Sequence, residues 1–211
     1  ALGLAWLIST TAGARWAVAR LNAWVPALSA EYVDGDLWRG LTLADVSWRS
    51  GAIAAQAQQV KWRWDPWCLL QGRSCMHRLQ LAEFVLADQA VGDVDLRLQG
   101  ALHAHVIEIV VSSAPVALDW RLAGGFDLNT RRWQGMLADA SLDAVGGPWR
   151  VSGQPELRLD LRRSVFRLEP HCWVQDEVSL CTEPLVADRE SARLGIQLGA
   201  VSLSRFADQW P

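Results

Sequence analysis

Four cysteines are the residues of this sequence whose chemistry is easiest to interpret. Cys68 and Cys75 form one close pair, and Cys172 and Cys181 form a second. Cysteines that stay reduced are typical of the cytosol, whereas an even number in local pairs is typical of secreted and periplasmic proteins. The pairs therefore favour two small disulfide-closed loops in a protein of an oxidising compartment.

Metal binding is the alternative for these cysteines, because histidines lie beside both pairs. The two possible ligand sets are Cys68 with Cys75 and His77, and Cys172 with Cys181 and His171. Structural zinc sites usually space their cysteines about two to four residues apart, and both pairs are wider than that. We therefore favour disulfides over metal sites.

No arrangement of residues points to catalysis. The sequence contains no glycine-rich phosphate loop, no zinc-protease helix motif and no nucleophile elbow. His103 and His105 share the period of a strand, but without a third ligand they are interpreted as exposed polar positions. Acidic residues are scattered, with no pair suited to acid–base chemistry. We expect a protein that is not an enzyme and that needs no metal or cofactor.

Composition excludes two further classes. Hydrophobic residues make up 51% of the 211 positions, which excludes intrinsic disorder. The formal net charge of −3 argues against a nucleic-acid partner, whose phosphates require a basic surface. Aromatic bulk comes mostly from 13 tryptophans, against one tyrosine and four phenylalanines.

The N-terminal segment is apolar from Ala1 to Ile8. A membrane-spanning helix needs roughly twenty such residues, so we interpret this run as the end of a membrane anchor. A buried helix start or the end of a signal peptide are the alternatives. Thr10 and Thr11 are suited to cap an amphipathic helix over 12–24, which Pro26 ends. Its apolar face is assigned to Ala14, Ala17, Leu21 and Trp24, and either protein packing or a membrane would cover it.

The rest of the chain alternates between apolar and polar residues, which is the period of β-strands. Breaks such as Gly124-Gly125 and Gly146-Gly147-Pro148 have turn composition, and no helical pattern follows Trp24. We predict a mainly β protein, with an N-terminal helix followed by a curved antiparallel sheet. The alternating apolar residues are Val60, Trp62, Trp64, Val94, Leu96, Leu98, Val116, Leu118, Trp120, Leu122, Leu157, Leu159, Leu161, Leu194, Ile196 and Leu198.

A sheet with one apolar face must cover that face. An ordinary sandwich core is one solution, and an open sheet whose inner face holds acyl chains is another. Periodicity alone does not separate the two.

Two blocks of sequence carry a more specific signal. The first contains DGDLWRGLTLADVSW at 34–48, WRWDPWCLL at 62–70 and CMHRL at 75–79. The second contains RWQGML at 132–137, GPWR at 147–150 and PHCW at 170–173, followed by Cys181. Together these blocks resemble the TamB family of the AsmA-like group.

The resemblance implies a Gram-negative periplasmic protein held in the inner membrane by one N-terminal helix, with a β-taco-like body that forms an open apolar groove. It implies a role in outer-membrane biogenesis, by conducting phospholipid between the membranes or by assisting assembly of barrel proteins and autotransporters with a BamA-like partner. The cysteines correspond to disulfides Cys68–Cys75 and Cys172–Cys181, and the alternating apolar residues correspond to the groove lining.

The chain departs from the family pattern in length. Family members separate the two blocks by a very long β-rich stretch, so we expect a shortened or internally deleted chain with a junction near residues 88–92. We expect an anchor end and amphipathic helix over 1–28, a β-region with the first disulfide over 29–88, and a β-region with the second over 89–211. The C-terminal domain that engages the BamA-like partner is expected to be missing.

Three functions follow from these expectations. The first is a periplasmic groove that binds and conducts phospholipid. The second is an assembly factor whose sheet edge templates client strands by β-augmentation. The third is a passive structural β-domain with a closed core.

Overall fold

The computed structural model describes residues 9–51, 53–64, 76–144, 147–188 and 191–199. It contains one helix and sixteen strands within these ranges, and the strands pair in antiparallel ladders. The chain divides into two compact units, Ala1–Ala117 and Leu118–Pro211. The predicted fold class, mainly β with an N-terminal helix and an open antiparallel sheet, is confirmed.

Helix α1 spans Thr11–Trp24, one residue longer than predicted. The hydroxyl of Thr10 accepts a hydrogen bond from the backbone N–H of Gly13 at 3.0 Å, which satisfies one of the free donors at the helix start. The predicted apolar face is only partly correct. Gly13, Ala14 and Val18 are buried, whereas the side chain of Trp24 is 73% exposed.

The first unit places its strands side by side in chain order. They are β1 (Leu28–Asp36), β2 (Gly40–Ser50), β3 (Ile53–Trp64), β4 (Met76–Leu86), β5 (Gln89–Ala101) and β6 (Ala104–Ser113). Helix α1 packs on β1, and β1 does not pair with β6 in the described ranges, so this ladder is open.

The hairpin between β4 and β5 occupies the segment where a junction was expected. Leu86 pairs with Gln89, and the two residues between them, Ala87 and Asp88, have φ of 48° and 65°. Positive φ at both central residues is the geometry of a type I′ turn, which matches the twist of the flanking strands. The turn therefore sets the pairing of the strand ends beside it, and the register of β4 against β5 then shifts between Leu81 and Val85.

Residues with positive φ interrupt three strands of the first unit at neighbouring positions across the sheet. Asp45 on β2 and Glu83 on β4 have φ of 47° and 50°, and Gly92 on β5 has φ of 90°. A Cβ at Gly92 would lie 2.3 Å from the carbonyl oxygen of Ser112, so this position requires glycine. A bulge moves the side chains that follow it to the other face of the strand. The alternation of apolar and polar residues therefore holds across neighbouring strands only up to these irregular residues.

The second unit branches at its longest strand. Its strands are β7 (Val116–Asp127, of which the first two residues belong to the first unit), β8 (Arg132–Ala144), β9 (Gly147–Ser152), β10 (Glu156–Asp160), β11 (Val165–Leu168), β12 (His171–Gln175), β13 (Val178–Thr182), β14 (Leu185–Ala187), β15 (Ala192–Arg193) and β16 (Ile196–Leu198). The first half of β8 pairs with β10, which continues through β11 and β14 to β15. The second half pairs with β9, which continues through β12 and β13 to β16.

Two glycines of the second unit lie beneath a tryptophan. Trp133 is only 8% exposed, and a Cβ added at Gly124 or at Gly135 would lie 2.6 Å or 2.5 Å from an atom of its ring. The prediction that Gly124-Gly125 forms a turn is wrong, because both residues lie inside β7. Gly124 is there because the indole ring leaves no space for a side chain.

Two predicted strands are shorter than the alternation suggested. Strand β10 ends at Asp160, whose carboxylate accepts hydrogen bonds from the backbone N–H groups of Arg162 and Arg163 at 3.0 Å each, so Leu161 lies in the turn. Leu194 lies between β15 and β16, where the chain leaves its pairing with β14 and begins its pairing with β13. Both leucines are about half exposed.

Candidate functional site

Apolar residues of the first unit form two continuous rows across five neighbouring strands. The rows follow from the register, because directly paired residues share one face of a sheet and residues two apart on a strand do too. We call this surface the apolar face. Its rows are Leu43, Val60, Leu81, Val94 and Val111, and beside them Leu41, Trp62, Leu79, Leu96 and Ile109.

The predicted residues Trp64 and Leu98 extend the apolar face by one further position. The ring centroids of Trp62 and Trp64 are 5.3 Å apart, and Leu98 pairs with Ile107. The indole N–H of Trp64 donates to the carbonyl oxygen of Leu37 at 2.6 Å. The buried indole N–H of Trp62 has no acceptor within the described part of the chain. The structure thus brings together the six groove residues that the sequence predicted on β3 and β5.

No second layer of the first unit packs on the apolar face among its described residues. The extensive contacts between elements of this unit are between adjacent strands, apart from those of α1 on β1. Leu41 is buried, and the other side chains of both rows are partly exposed. In a closed core such side chains would be covered by other elements.

The opposite face of the same strands is polar and carries an ion-pair cluster. Arg78 on β4 donates to both carboxylate oxygens of Asp95 on β5, with Nε at 2.9 Å from Oδ1, and Arg97 lies 3.5 Å from the same carboxylate. The hydrogen bond from Arg78 lowers the pKa of Asp95. Strands β4 and β5 therefore separate an apolar side from a charged side.

The second unit has a shorter apolar surface of the same kind. Trp133, Leu159 and Phe166 pair in one row across β8, β10 and β11, and Leu157, Leu168 and Leu185 pair in the next across β10, β11 and β14. The predicted residues Leu157 and Leu159 thus lie together.

The remaining predicted groove residues do not form a continuous row. On β7, Leu122 is buried, Leu118 and Trp120 are partly exposed, and Val116 is exposed at the start of the strand. Ile196 is exposed on β16. The side chain of Leu198 lies outside the described residues, and Leu161 and Leu194 lie outside the strands. These positions stay predictions as lipid contacts.

The second cysteine pair lies on neighbouring strands. Cys172 on β12 is directly opposite Cys181 on β13, and their sulfur atoms form a disulfide in the structure. The next residue, Trp173, points to the other face by strand alternation and pairs with Leu180. Cys68 and Cys75 lie outside the described residues, so their disulfide stays a prediction.

Two of the histidines considered as metal ligands contact a hydroxyl or a backbone carbonyl group instead. His171 Nδ1 is 3.0 Å from the hydroxyl of Thr182. His103 lies in the turn before β6, whereas His105 is buried, with Nδ1 3.0 Å from the carbonyl oxygen of Leu102. The interpretation of His105 as an exposed position is therefore wrong. No three metal-binding side chains cluster in the described part of the chain.

The outer edge of the first unit is occupied by a side chain of α1. Ala30 lies at a bulge in β1, where the pairing with β2 skips from Ser29 to Glu31. The side-chain amide of Asn22 donates to the carbonyl oxygen of Ala30 at 2.7 Å and accepts from its N–H at 3.1 Å. Asn22 thus hydrogen-bonds to the edge in the way that another strand would.

Half of the apolar face was missed by the sequence analysis, although the signal was present. Leu41 alternates with Leu43, Leu79 with Leu81, and Ile109 with Val111. These residues belong to the same rows as the predicted ones because β2, β4 and β6 lie next to β3 and β5.

The comparisons with known proteins agree with the resemblance of the two blocks. A family model described as "TamB, N-terminal domain" matches residues 1–87 and 77–211. The translocation and assembly module subunit TamB of Haemophilus influenzae is 24% identical over 88 residues, which are 42% of this chain and 7% of that protein. The chain therefore matches only a small part of the length of this relative, and no solved structure matches it. Because the family model covers both units, the chain belongs to the family of TamB N-terminal domains.

Proposed function

We propose that this chain acts in outer-membrane biogenesis in the Gram-negative periplasm, by binding phospholipid acyl chains on its apolar face and conducting them between the inner and outer membranes. The observation that supports this most directly is that two apolar rows cross five strands with no described element of the first unit packed over them. Membership of the TamB N-terminal domain family supports the same process.

The energetics of the apolar face suit acyl chains. Each methylene moved from water onto an apolar surface contributes about 0.8 kcal/mol, so a lipid tail that covers several rows is strongly favoured. The rows consist of Leu, Val, Ile and Trp side chains, which make no directional demands on a ligand. A surface without specific polar contacts holds many tails about equally well, which allows a lipid to move along it.

An inner-membrane anchor at the N-terminus is part of this proposal. Within the described residues, no helix has both the length and the apolar character that crossing a membrane requires. The support comes from the apolar sequence of residues 1–8 and from the surface of α1. Trp16 is 47% exposed, the guanidinium of Arg20 lies 5.4 Å from the centre of its ring, and the helix has no acidic residue. Exposed tryptophan beside arginine is typical of helices at membrane interfaces.

A BamA-like outer-membrane partner is proposed for the longer family members and follows from the resemblance alone. Strand templating at the sheet edge is the alternative function. The hydrogen bonds of Asn22 to Ala30 argue against it at β1, because that part of the edge already has its backbone groups paired. A client strand would first have to displace α1 there.

The test is to purify the chain without detergent, extract it with organic solvent, and quantify phospholipid by mass spectrometry. Leu79→Asp places a charge in the middle of the apolar face, and Gln59→Asp places the same charge on the polar face, directly opposite Ala44 and Ala82. We expect phospholipid with the parent and with Gln59→Asp, and loss of it in Leu79→Asp.

The folded state of both variants is checked by circular dichroism. On an open face, Leu79→Asp leaves the charge in contact with water, so we expect the variant to stay folded. A parent without phospholipid, together with an unfolded Leu79→Asp variant, would mean that the rows form an ordinary closed core. That result would contradict the proposal.

A further inference from the structure

An open cavity in the second unit has four arginines among its nine lining residues. Its volume is about 270 Å³, and it lies over β8, β10, β11 and the turn that joins the last two. Trp133, Gln134, Leu159, Asp160 and Val165 also line it. The four arginines are Arg132, Arg158, Arg163 and Arg167.

The charge of this cavity is opposite to that of the whole chain. Four arginines and one aspartate give the lining a formal charge of +3, whereas the chain carries −3. Glu156 and Glu169 also act on Arg158, and counting them still leaves +1. A net positive charge in an acidic chain concentrates anions at this place.

Two of the arginines are held in place by carboxylates. Arg132 donates to Asp160 at 2.9 Å. Arg158 donates to both oxygens of Glu156, at 2.7 Å and 2.6 Å. Hydrogen bonds from Arg158 lower the pKa of Glu156, and those from the backbone of Arg163 lower the pKa of Asp160, so both acids stay charged at neutral pH. The two guanidinium groups are therefore pre-oriented at the rim.

The other two arginines have no such partner. Arg167 on β11 pairs directly with Arg158 on β10, so both side chains extend from the same face. Like charges placed opposite each other in a sheet destabilise it. Within the described ranges, neither Arg163 nor Arg167 has a carboxylate oxygen within 4.0 Å. An anion bound between them would offset this repulsion.

We propose that this cavity binds the phosphate group of a small ligand, with Arg163 and Arg167 as the main contacts and Arg158 as a third. The planar fork of guanidinium N–H groups matches the oxygens of a phosphate, and such charge-assisted hydrogen bonds are strong. The volume lies just below the roughly 300–1,000 Å³ of sites for drug-sized molecules. It therefore suits inorganic phosphate or a lipid headgroup rather than a whole lipid.

The experiment measures binding to the purified full chain by isothermal titration calorimetry in low-salt buffer. The two probes are inorganic phosphate and glycerophosphoethanolamine, the water-soluble headgroup fragment of a phospholipid. We expect saturable binding of at least one probe to the parent. Arg167→Gln and Arg163→Gln should each weaken it at least about tenfold, because each removes a charged hydrogen-bond donor from the anion.

The matched control is Arg150→Gln, an exposed arginine of the same unit on β9 outside the cavity lining, which should leave binding unchanged. Binding of the fragment alone supports a lipid headgroup as the ligand, and binding of phosphate alone supports a free phosphate. Binding of both supports recognition of the phosphate group itself. The proposal is overturned if neither probe binds at millimolar concentration, or if Arg150→Gln weakens binding as much as Arg167→Gln does.

Discussion

Removing the side chain of Asn22 should destabilise the edge of the first unit. This side chain makes two hydrogen bonds to the backbone of Ala30, at 2.7 Å and 3.1 Å. Ala30 is buried, and β2 does not pair with it because of the bulge. In Asn22→Ala the N–H and C=O of Ala30 both lose their partner. Each buried polar group left without a partner costs about 1–3 kcal/mol, and water at the sheet edge recovers part of this. We expect the free energy of unfolding to fall by about 2–4 kcal/mol.

The assay is urea denaturation followed by tryptophan fluorescence, combined with hydrogen exchange at the amide of Ala30. The exchange of this amide should accelerate in Asn22→Ala, because its acceptor is gone. Asn129→Ala is the control, since Asn129 lies in an exposed turn and its side chain should contribute less than about 0.5 kcal/mol. The reasoning is refuted if Asn22→Ala unfolds at the same urea concentration as the parent and the exchange of Ala30 is unchanged. The edge would then not depend on α1.

Three other changes test separate parts of the structure. Replacing Cys172 and Cys181 by serine opens a short cross-strand loop and should lower the free energy of unfolding by about 2–3 kcal/mol. Thiol titration of the unfolded parent without reductant should find no free thiol at Cys172 or Cys181. Because Arg78 lowers the pKa of Asp95, the stability that this pair contributes is complete above the unfolded pKa of about 4 and is lost as the pH falls through the folded value. The destabilisation caused by Arg78→Gln, measured by urea denaturation, should accordingly be larger at pH 7 than at pH 3. Gly135→Ala should lower the free energy of unfolding by at least about 1–3 kcal/mol, because the new Cβ would lie 2.5 Å from Trp133, and an unchanged urea midpoint would contradict that packing.

Period-two alternation predicted the strands of the apolar face well because it depends only on neighbouring residues. Val60 and Trp62, or Val94 and Leu96, must share a face wherever their strand lies. Their partners Leu79 and Leu81 depend on register, which is set by the type I′ turn at Ala87 and Asp88 together with the register shifts between Leu81 and Val85. That turn has no glycine or asparagine, so its composition gave no signal.

Local side-chain bonding and ring packing account for the errors. Leu161 follows the alternation of β10, but Asp160 ends the strand by hydrogen-bonding to the backbone of the turn. Gly124 has the composition of a turn, but it lies in a strand because the ring of Trp133 covers it. The sequence does not show that Arg158 lies opposite Arg167, because this arrangement arises only when β10 and β11 pair.

The apolar surface of the second unit and the arginine pair of its phosphate-binding cavity lie on opposite faces of the same strands, which limits what one lipid can do there. The side chains of Arg158 and Arg167 extend from the face opposite to that of Leu159 and Phe166, because residues alternate along β10 and β11 and pair directly between them. A lipid whose tails lie on Leu159 cannot reach Arg167 with its phosphate through the hydrogen-bonded backbone of the sheet. The phosphate ligand must therefore approach from the polar side, as a free molecule or as part of a membrane surface. If acyl chains and phosphate proved to compete for this unit, the register of β10 and β11, and the proposed phosphate site with it, would have to be revised.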